Sequence, residues 1–91
     1  MSAATSNVQL ELADGTPCSA VFTLGEGVRV LRRDQPCGRI DDAGLSQFAA
    51  RRNGAMELAA QIEEMLGQQA LTVSSQDALM EAAYRWFEQN F

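Results

Sequence analysis

The hydrophobic period of this chain changes near residue 40, and this change constrains the fold more than any other feature. Before it, Val8, Leu10 and Leu12 alternate with Gln9 and Glu11, a period of two that is typical of a half-buried β-strand. After it, apolar residues recur at the spacing of one face of an α-helix. The sequence therefore predicts strands in its first part and helices in its second.

Strand-like segments are predicted at residues 8–12, 18–24 and 28–33, and a short fourth strand or extended lead-in at residues 37–40. Turn residues separate them at positions 14–15, 25–27 and 34–36. Asp14-Gly15 is a strong hairpin signal, because both central residues of a type I′ turn need a positive φ. Parallel strands need long crossovers, so turns this short favour an antiparallel meander.

Two helical segments are predicted between residues 41 and 67. Asp41-Asp42 offers an N-cap and a first-turn acid. Asn53-Gly54 predicts a C-cap and a break, since both residues accept left-handed geometry; one helix continuing through Gly54 is the alternative. The second helix is expected to stop near Gly67. The expected apolar stripes are Leu45, Phe48 and Ala49, then Met56, Ala59, Ile62, Met65 and Leu66.

The last helix is predicted from about residue 75 to residue 89. Ser74 and Asp77 resemble a capping box at its start, and residues 71–73 before it are a short segment that an edge strand would fit. The expected apolar face consists of Leu79, Met80, Ala83, Trp86, Phe87 and Phe91, and the expected solvent face of Asp77, Glu81, Tyr84, Arg85 and Glu88.

These elements predict an α+β fold: a three- to four-stranded antiparallel β-meander followed by two or three helices packed on one sheet face. The length of 91 residues indicates one domain. We expect this domain to span residues 8–91, after a small, polar and disordered N-terminus at residues 1–7. The start lacks the pattern of a signal peptide, and no apolar run approaches the ~20 residues of a membrane helix. We therefore expect a cytoplasmic protein without a membrane partner.

Composition argues against most site chemistry. The chain has no histidine, which is the usual general base and the commonest metal ligand. Without an activating histidine, Cys18 and Cys37 are expected to be reduced strand residues with no catalytic role. The adjacent acids Asp41-Asp42 and Glu63-Glu64 lack the spacing of a calcium loop. We expect no catalytic residue, no metal and no cofactor, and hence no enzyme.

Charge is distributed unevenly along the chain. Residues 53–91 hold six acidic residues and one arginine, whereas the acids and arginines of residues 1–52 cancel, leaving a net charge of −5. An acidic surface can attract a basic protein face but does not attract nucleic acid. The predicted partner-binding residues are the acids of the last two helices with part of the aromatic cluster: Glu57, Glu63, Glu64, Glu81, Glu88, Trp86 and Phe91. Trp86 has a second interpretation, as a residue of the core beneath the sheet.

An alternative binding face consists of the arginines Arg29, Arg32, Arg33 and Arg39. Because the whole chain is acidic, we interpret these arginines as a solvated sheet face or a protein-docking patch rather than a nucleic-acid site.

The sequence therefore favours a small, acidic, non-enzymatic protein-binding module. We expect an inhibitor or regulator that occludes a basic surface of a larger cytoplasmic target. In size and acidity it is similar to phage-encoded inhibitors of host defence such as anti-CRISPR proteins, an analogy of type that no motif carries. The alternative is a homo-oligomeric structural or assembly accessory protein, such as a homodimer, that uses the C-terminal aromatic helix as its interface.

Overall fold

The computed structural model describes residues 5–67 and 69–91. Within them, four strands come first and three helices follow, which confirms the predicted α+β fold. The strands are β1 (Thr5–Glu11), β2 (Pro17–Thr23), β3 (Gly27–Arg32) and β4 (Gln35–Ile40). The helices are α1 (Asp42–Ala49), α2 (Gly54–Met65) and α3 (Val73–Asn90).

The sheet is an antiparallel meander in the order β1-β2-β3-β4. One row of paired residues runs across it through Val8, Ala20, Val30 and Gly38. β4 starts earlier than predicted, at Gln35, and so includes Pro36. Because β4 is an edge strand, a proline that lacks an N–H is tolerated there.

The turn chemistry differs from the prediction. Asp14-Gly15 does not form a type I′ turn, since Gly15 has a φ of +90° while Asp14 has a negative φ. Gly15 instead closes a longer loop in which the Asp14 carboxylate accepts a hydrogen bond from the Thr16 N–H at 3.0 Å. Hydrogen bonding from the Thr16 side chain, and then from its backbone N–H, lowers the pKa of Asp14. The turn with two positive φ values is at Arg33-Asp34, between β3 and β4, as a type I′ turn requires.

The described helices cover one face of the sheet, and no other part of the described chain covers the second face. The β1 and β3 residues Val8, Leu10, Val28 and Val30 and the β2 residue Phe22 point to the covered face and are buried. From the helices, the main core residues are Leu45, Leu58, Ile62, Leu79, Ala83 and Trp86. The other sheet face carries the intervening residues, which are exposed or half-buried, as expected for an antiparallel sheet with one wet face.

The break between α1 and α2 is confirmed, but its cause is different from the one predicted. Gly54 is the first residue of α2 rather than a left-handed C-cap. It is buried, and a Cβ atom there would lie 1.6 Å from the carbonyl oxygen of Phe48. The corner therefore needs glycine because the end of α1 approaches the start of α2 closely. At the start of α1, the predicted N-cap is confirmed, since the Asp41 side chain accepts from the Gly44 N–H.

The apolar stripe predicted for α2 is wrong at Met56. Met56 is 60% exposed, and the buried residues of the helix are Leu58, Ala59 and Ile62, with Leu66 just after it. The helix turns about 100° per residue, so a stripe that runs through Leu58 and Ile62 leaves Met56 outside. The predicted stop is confirmed, because α2 ends at Met65 and Gly67 has a φ of +111°.

The start of α3 also differs from the prediction. Its N-cap is Thr72, whose hydroxyl accepts from the Ser75 N–H, so Ser74 and Asp77 do not form the cap. The predicted edge strand at residues 71–73 is reduced to a single bridge between Leu71 and Leu12. α3 therefore begins at Val73, before the predicted start near residue 75.

At the N-terminus, the predicted disordered segment of residues 1–7 lies outside the described residues for positions 1–4, and Thr5–Asn7 belong to β1. Among the helices described, none combines the length and the apolar character that crossing a bilayer requires.

Candidate functional site

A groove with a volume of about 860 Å³ lies in the helical layer. It lies between the corner that joins α1 to α2 and the C-terminal half of α3. Residues of the corner form one wall and residues of α3 form the other. The apolar lining residues are Ala49, Ala50, Ala55, Met56, Met80, Tyr84, Phe87 and Phe91. We call this feature the corner groove.

The helical spacing of α3 builds one wall of the corner groove. Met80, Tyr84 and Phe87 recur at intervals of four and three, so they lie on one side of the helix. Met80 and Phe87 are half-buried and pack against the core, whereas Tyr84 is 60% exposed. Phe91, 51% exposed, meets Phe87 edge to face with ring centroids 6.2 Å apart. The wall therefore presents aromatic surface to solvent.

The rim of the corner groove carries both signs of charge. Arg51 and Arg52 lie on the wall of the corner, and Glu81 and Glu88 on the α3 wall. Two contacts hold the Arg51 side chain. Its guanidinium lies 5.4 Å from the centroid of the Phe48 ring and 3.6 Å from a carboxylate oxygen of Glu57. The charges of the lining residues cancel, so contact inside the groove would depend mainly on apolar surface.

Not all of the predicted acidic residues share a free surface. Glu57, Glu64, Glu81 and Glu88 are exposed, and Glu81 pairs with Arg85 one helical turn away. Glu63 instead is half-buried and engaged inside the protein. Its Oε2 accepts from the Leu71 N–H and from the Gln76 side-chain amide, each at 2.9 Å. Glu63 therefore joins α2 to the start of α3 and is not available to a partner.

Trp86 lies in the core, which supports its second interpretation over the partner-binding one. The residue is 2% exposed, and its ring centroid lies 5.6 Å from that of Phe22 in β2. Its Nε1 is buried without a hydrogen-bond partner among the described residues. Trp86 therefore cannot contact a docked protein. The aromatic surface of α3 is provided by Tyr84, together with Phe91 directly after the helix.

The four arginines of the alternative face are not brought together on one surface. Arg29 and Arg39 are cross-strand neighbours on the uncovered sheet face, where like charges directly opposite are unfavourable. Arg32 points to the helical side and donates to the carbonyl oxygen of Leu66 at 3.5 Å. Arg33 occupies the turn between β3 and β4. These arginines therefore form a pair and two separate charges.

The two cysteines are free in the structure. Cys18 is buried, and desolvation raises the pKa of its thiol. Desolvation also raises the pKa of Cys37, against the opposing charge of Arg32. Neither thiol therefore has the lowered pKa that marks a reactive cysteine. In residues 5–67 and 69–91, no three acidic or cysteine side chains come together as candidate metal ligands.

Several residues of the corner groove were missed by the sequence prediction. Met56 was assigned to the core of α2, and Tyr84 to the solvent face of α3. Arg51 and Arg52 were not assigned to any binding face. The available signal was the break at Asn53-Gly54, which turns the end of α1 toward α3. A prediction of the angle between the helices would have been needed to use it.

Comparison with models of protein families, with curated proteins and with solved structures finds no match to this chain.

Proposed function

We propose that this protein is a non-enzymatic binding module that docks a protein partner in the corner groove. The observation that carries the proposal is the exposed apolar surface of Met56, Tyr84 and Phe91 around one groove. Aromatic and methionine side chains are enriched at protein interfaces, and anchors in a pocket provide most of the binding energy. A docked segment would bury these side chains and remove their contact with water.

We propose further that the partner presents a basic surface. Glu64 and Glu88 are exposed acids without an ion-pair partner among the described residues, and the chain carries a net charge of −5. Such a field acts over about 8 Å at physiological ionic strength. Its main effect would be on the rate of association, while the affinity would depend on the apolar contacts.

Within this class, our preferred version is an inhibitor or regulator that covers a basic surface of a larger cytoplasmic target. Acidic charge on α2 and α3 supports this version, because it lies on the same layer as the corner groove. A phage-encoded inhibitor of host defence would be one protein of this kind.

The experiment is affinity capture from a native lysate with matched variants. Tyr84→Ser in the corner groove should lose the captured protein, because it removes an aromatic anchor. Val73→Ser is the control, since Val73 is 73% exposed but lies outside the groove. Equal capture by both variants and the unchanged protein would refute docking in the groove.

The second candidate function is a homo-oligomeric assembly protein, and the exposure of Phe91 and Tyr84 on α3 favours it. In that case the pure protein would associate through the same aromatic surface. Sedimentation distinguishes the two candidates, because an oligomer that is insensitive to salt and is lost in Tyr84→Ser supports the assembly function.

A further inference from the structure

The two edges of the sheet are not equally protected. β4 carries Pro36, an irregularity in its pairing opposite Val30 and Leu31, and the charged Arg39. Proline, bulges and charges all discourage an edge strand from pairing with another chain. β1, at the opposite edge, has none of these features from Thr5 to Leu10. The β4 edge, which we call the guarded edge, is therefore protected against pairing with another chain, whereas the β1 edge is not protected in this way.

Hydrogen bonds at the end of β1 show which backbone groups face outward. The Leu12 N–H donates to the Thr16 carbonyl on the β2 side at 3.0 Å. The Glu11 N–H instead donates to the Ser75 hydroxyl at 2.8 Å, and the Glu11 carbonyl accepts from the Thr72 N–H at 2.9 Å. Successive residues of an antiparallel strand alternate in this way. The backbone N–H and C=O groups of the odd-numbered residues of β1 therefore point away from β2, in the plane of the sheet.

The protein closes only part of this edge. The segment that leads into α3 covers β1 from Glu11 onward, where the Ala13 N–H also donates to the Ala70 carbonyl at 2.8 Å. Before Glu11, the residues whose backbone groups point away from β2 are Thr5, Asn7 and Gln9. The described part of the chain provides no hydrogen-bond partner for the outward backbone groups of Asn7 and Gln9. We call Thr5–Gln9 the open edge.

We propose that the open edge pairs with the open edge of a second copy of this chain. The two strands run antiparallel about a two-fold axis, with Asn7 opposite Asn7 and Thr5 opposite Gln9. Each of these pairs can exchange two N–H···O bonds, because the backbone groups of its residues point away from β2. The covering segment at Glu11 limits the contact to the same five residues in both copies.

A second copy fits this edge because it presents the same five uncharged residues, Thr5–Gln9, with the same free backbone groups. Two chains of net charge −5 repel one another, but Thr5–Gln9 is uncharged and can approach itself. In the proposed register, the free backbone groups of the odd-numbered residues meet, whereas a shift by one residue would place them opposite residues that already bond to β2. The contact is small, so we expect a dimer that depends on protein concentration. This inference does not rest on the corner groove.

Sedimentation of the full chain over a range of concentrations tests the proposal. The unchanged protein should shift from monomer to dimer as concentration rises. Asn7→Lys should remain monomeric, because it places two ammonium groups directly opposite each other. Gln35→Lys is the matched control, because Gln35 is exposed on the guarded edge. This variant should dimerise normally. A monomer at every concentration would overturn the proposal, as would a dimer that survives Asn7→Lys.

Amide hydrogen exchange provides a second readout that depends on the backbone alone. Exchange at Asn7 and Gln9 should slow as concentration rises, while Val8, which bonds to β2, is protected throughout. If a dimer forms but Asn7 exchanges equally fast at every concentration, the contact lies elsewhere. Loss of that dimer in Tyr84→Ser would then assign it to the aromatic surface of α3.

Discussion

At the scale of single residues, Glu63 and Glu64 are adjacent in sequence and opposite in role. The Glu63 carboxylate holds the backbone of Leu71 and the side chain of Gln76, whereas Glu64 faces solvent. Charge alone does not distinguish them, because both are glutamates on the same helix. The distinction depends on where the segment before α3 crosses α2.

Replacing Glu63 should therefore cost stability, and replacing Glu64 should not. Glu63→Ala leaves the N–H of the buried Leu71 without its acceptor, which we expect to lower the free energy of unfolding by about 1–3 kcal/mol. The matched Glu64→Ala should change it by less than about 0.5 kcal/mol. Urea denaturation of both variants measures the difference, and equal values would contradict the role of Glu63.

Trp86 gives a second prediction at this scale. Trp86→Ala should lower the free energy of unfolding by roughly 3–5 kcal/mol, because it leaves a cavity beside Phe22. Trp86→Phe should cost less than half as much, since it keeps an aromatic ring and removes a buried N–H without a partner. Thermal unfolding of both variants provides the comparison. A phenylalanine variant as unstable as the alanine variant would contradict this expectation.

At the scale of elements, the corner between α1 and α2 depends on the absence of a side chain at Gly54. Gly54→Ala should lower the free energy of unfolding by about 1–3 kcal/mol, because its Cβ would collide with the Phe48 carbonyl. Asn53→Ala is the control, since Asn53 is exposed and its side chain makes no capping bond. We expect that control to stay within about 0.5 kcal/mol of the unchanged protein. Chemical denaturation measures both, and a neutral Gly54→Ala would show that the corner can relax.

The order and type of the elements could be predicted from the sequence because they follow from local hydrophobic period. Val8, Leu10 and Leu12 alternate, and the first two form the covered side of β1. The stop near Gly67 follows from a local backbone preference. Turn types could not be predicted in the same way. Arg33 adopts a positive φ that arginine rarely takes, because the pairing of β3 with β4 leaves only two residues for the turn.

The candidate site was less predictable than the fold because it depends on how helices cross. Tyr84 was assigned to the solvent face of α3, and Met56 to the apolar stripe of α2. Both line the corner groove only because the chain turns at Gly54 and brings α2 beside α3. Trp86 was assigned to both the core and a binding face, and local spacing alone could not separate these interpretations.

At the scale of the whole molecule, charge and apolar surface should affect binding in different ways. Reversing Glu64 and Glu88 to arginine should slow association with a basic partner at low salt and leave dissociation nearly unchanged. Both residues are exposed and outside ion pairs in the described structure, so the fold should be retained. Arg29→Glu with Arg39→Glu is the matched comparison on the uncovered sheet face. Binding kinetics at low and high salt test this, and a slowing caused only by the arginine changes would move the interface to the sheet.

The most direct test of the central claim is quantitative capture of the partner by a set of folded variants. The corner groove predicts that Tyr84→Ser and Met56→Ser lose the partner, while Val73→Ser and Leu24→Ser, exposed apolar sites outside the groove, retain it. Thermal unfolding establishes that all four variants remain folded. If the groove variants capture the same partner in the same amount as the two controls, the corner groove is not the docking site.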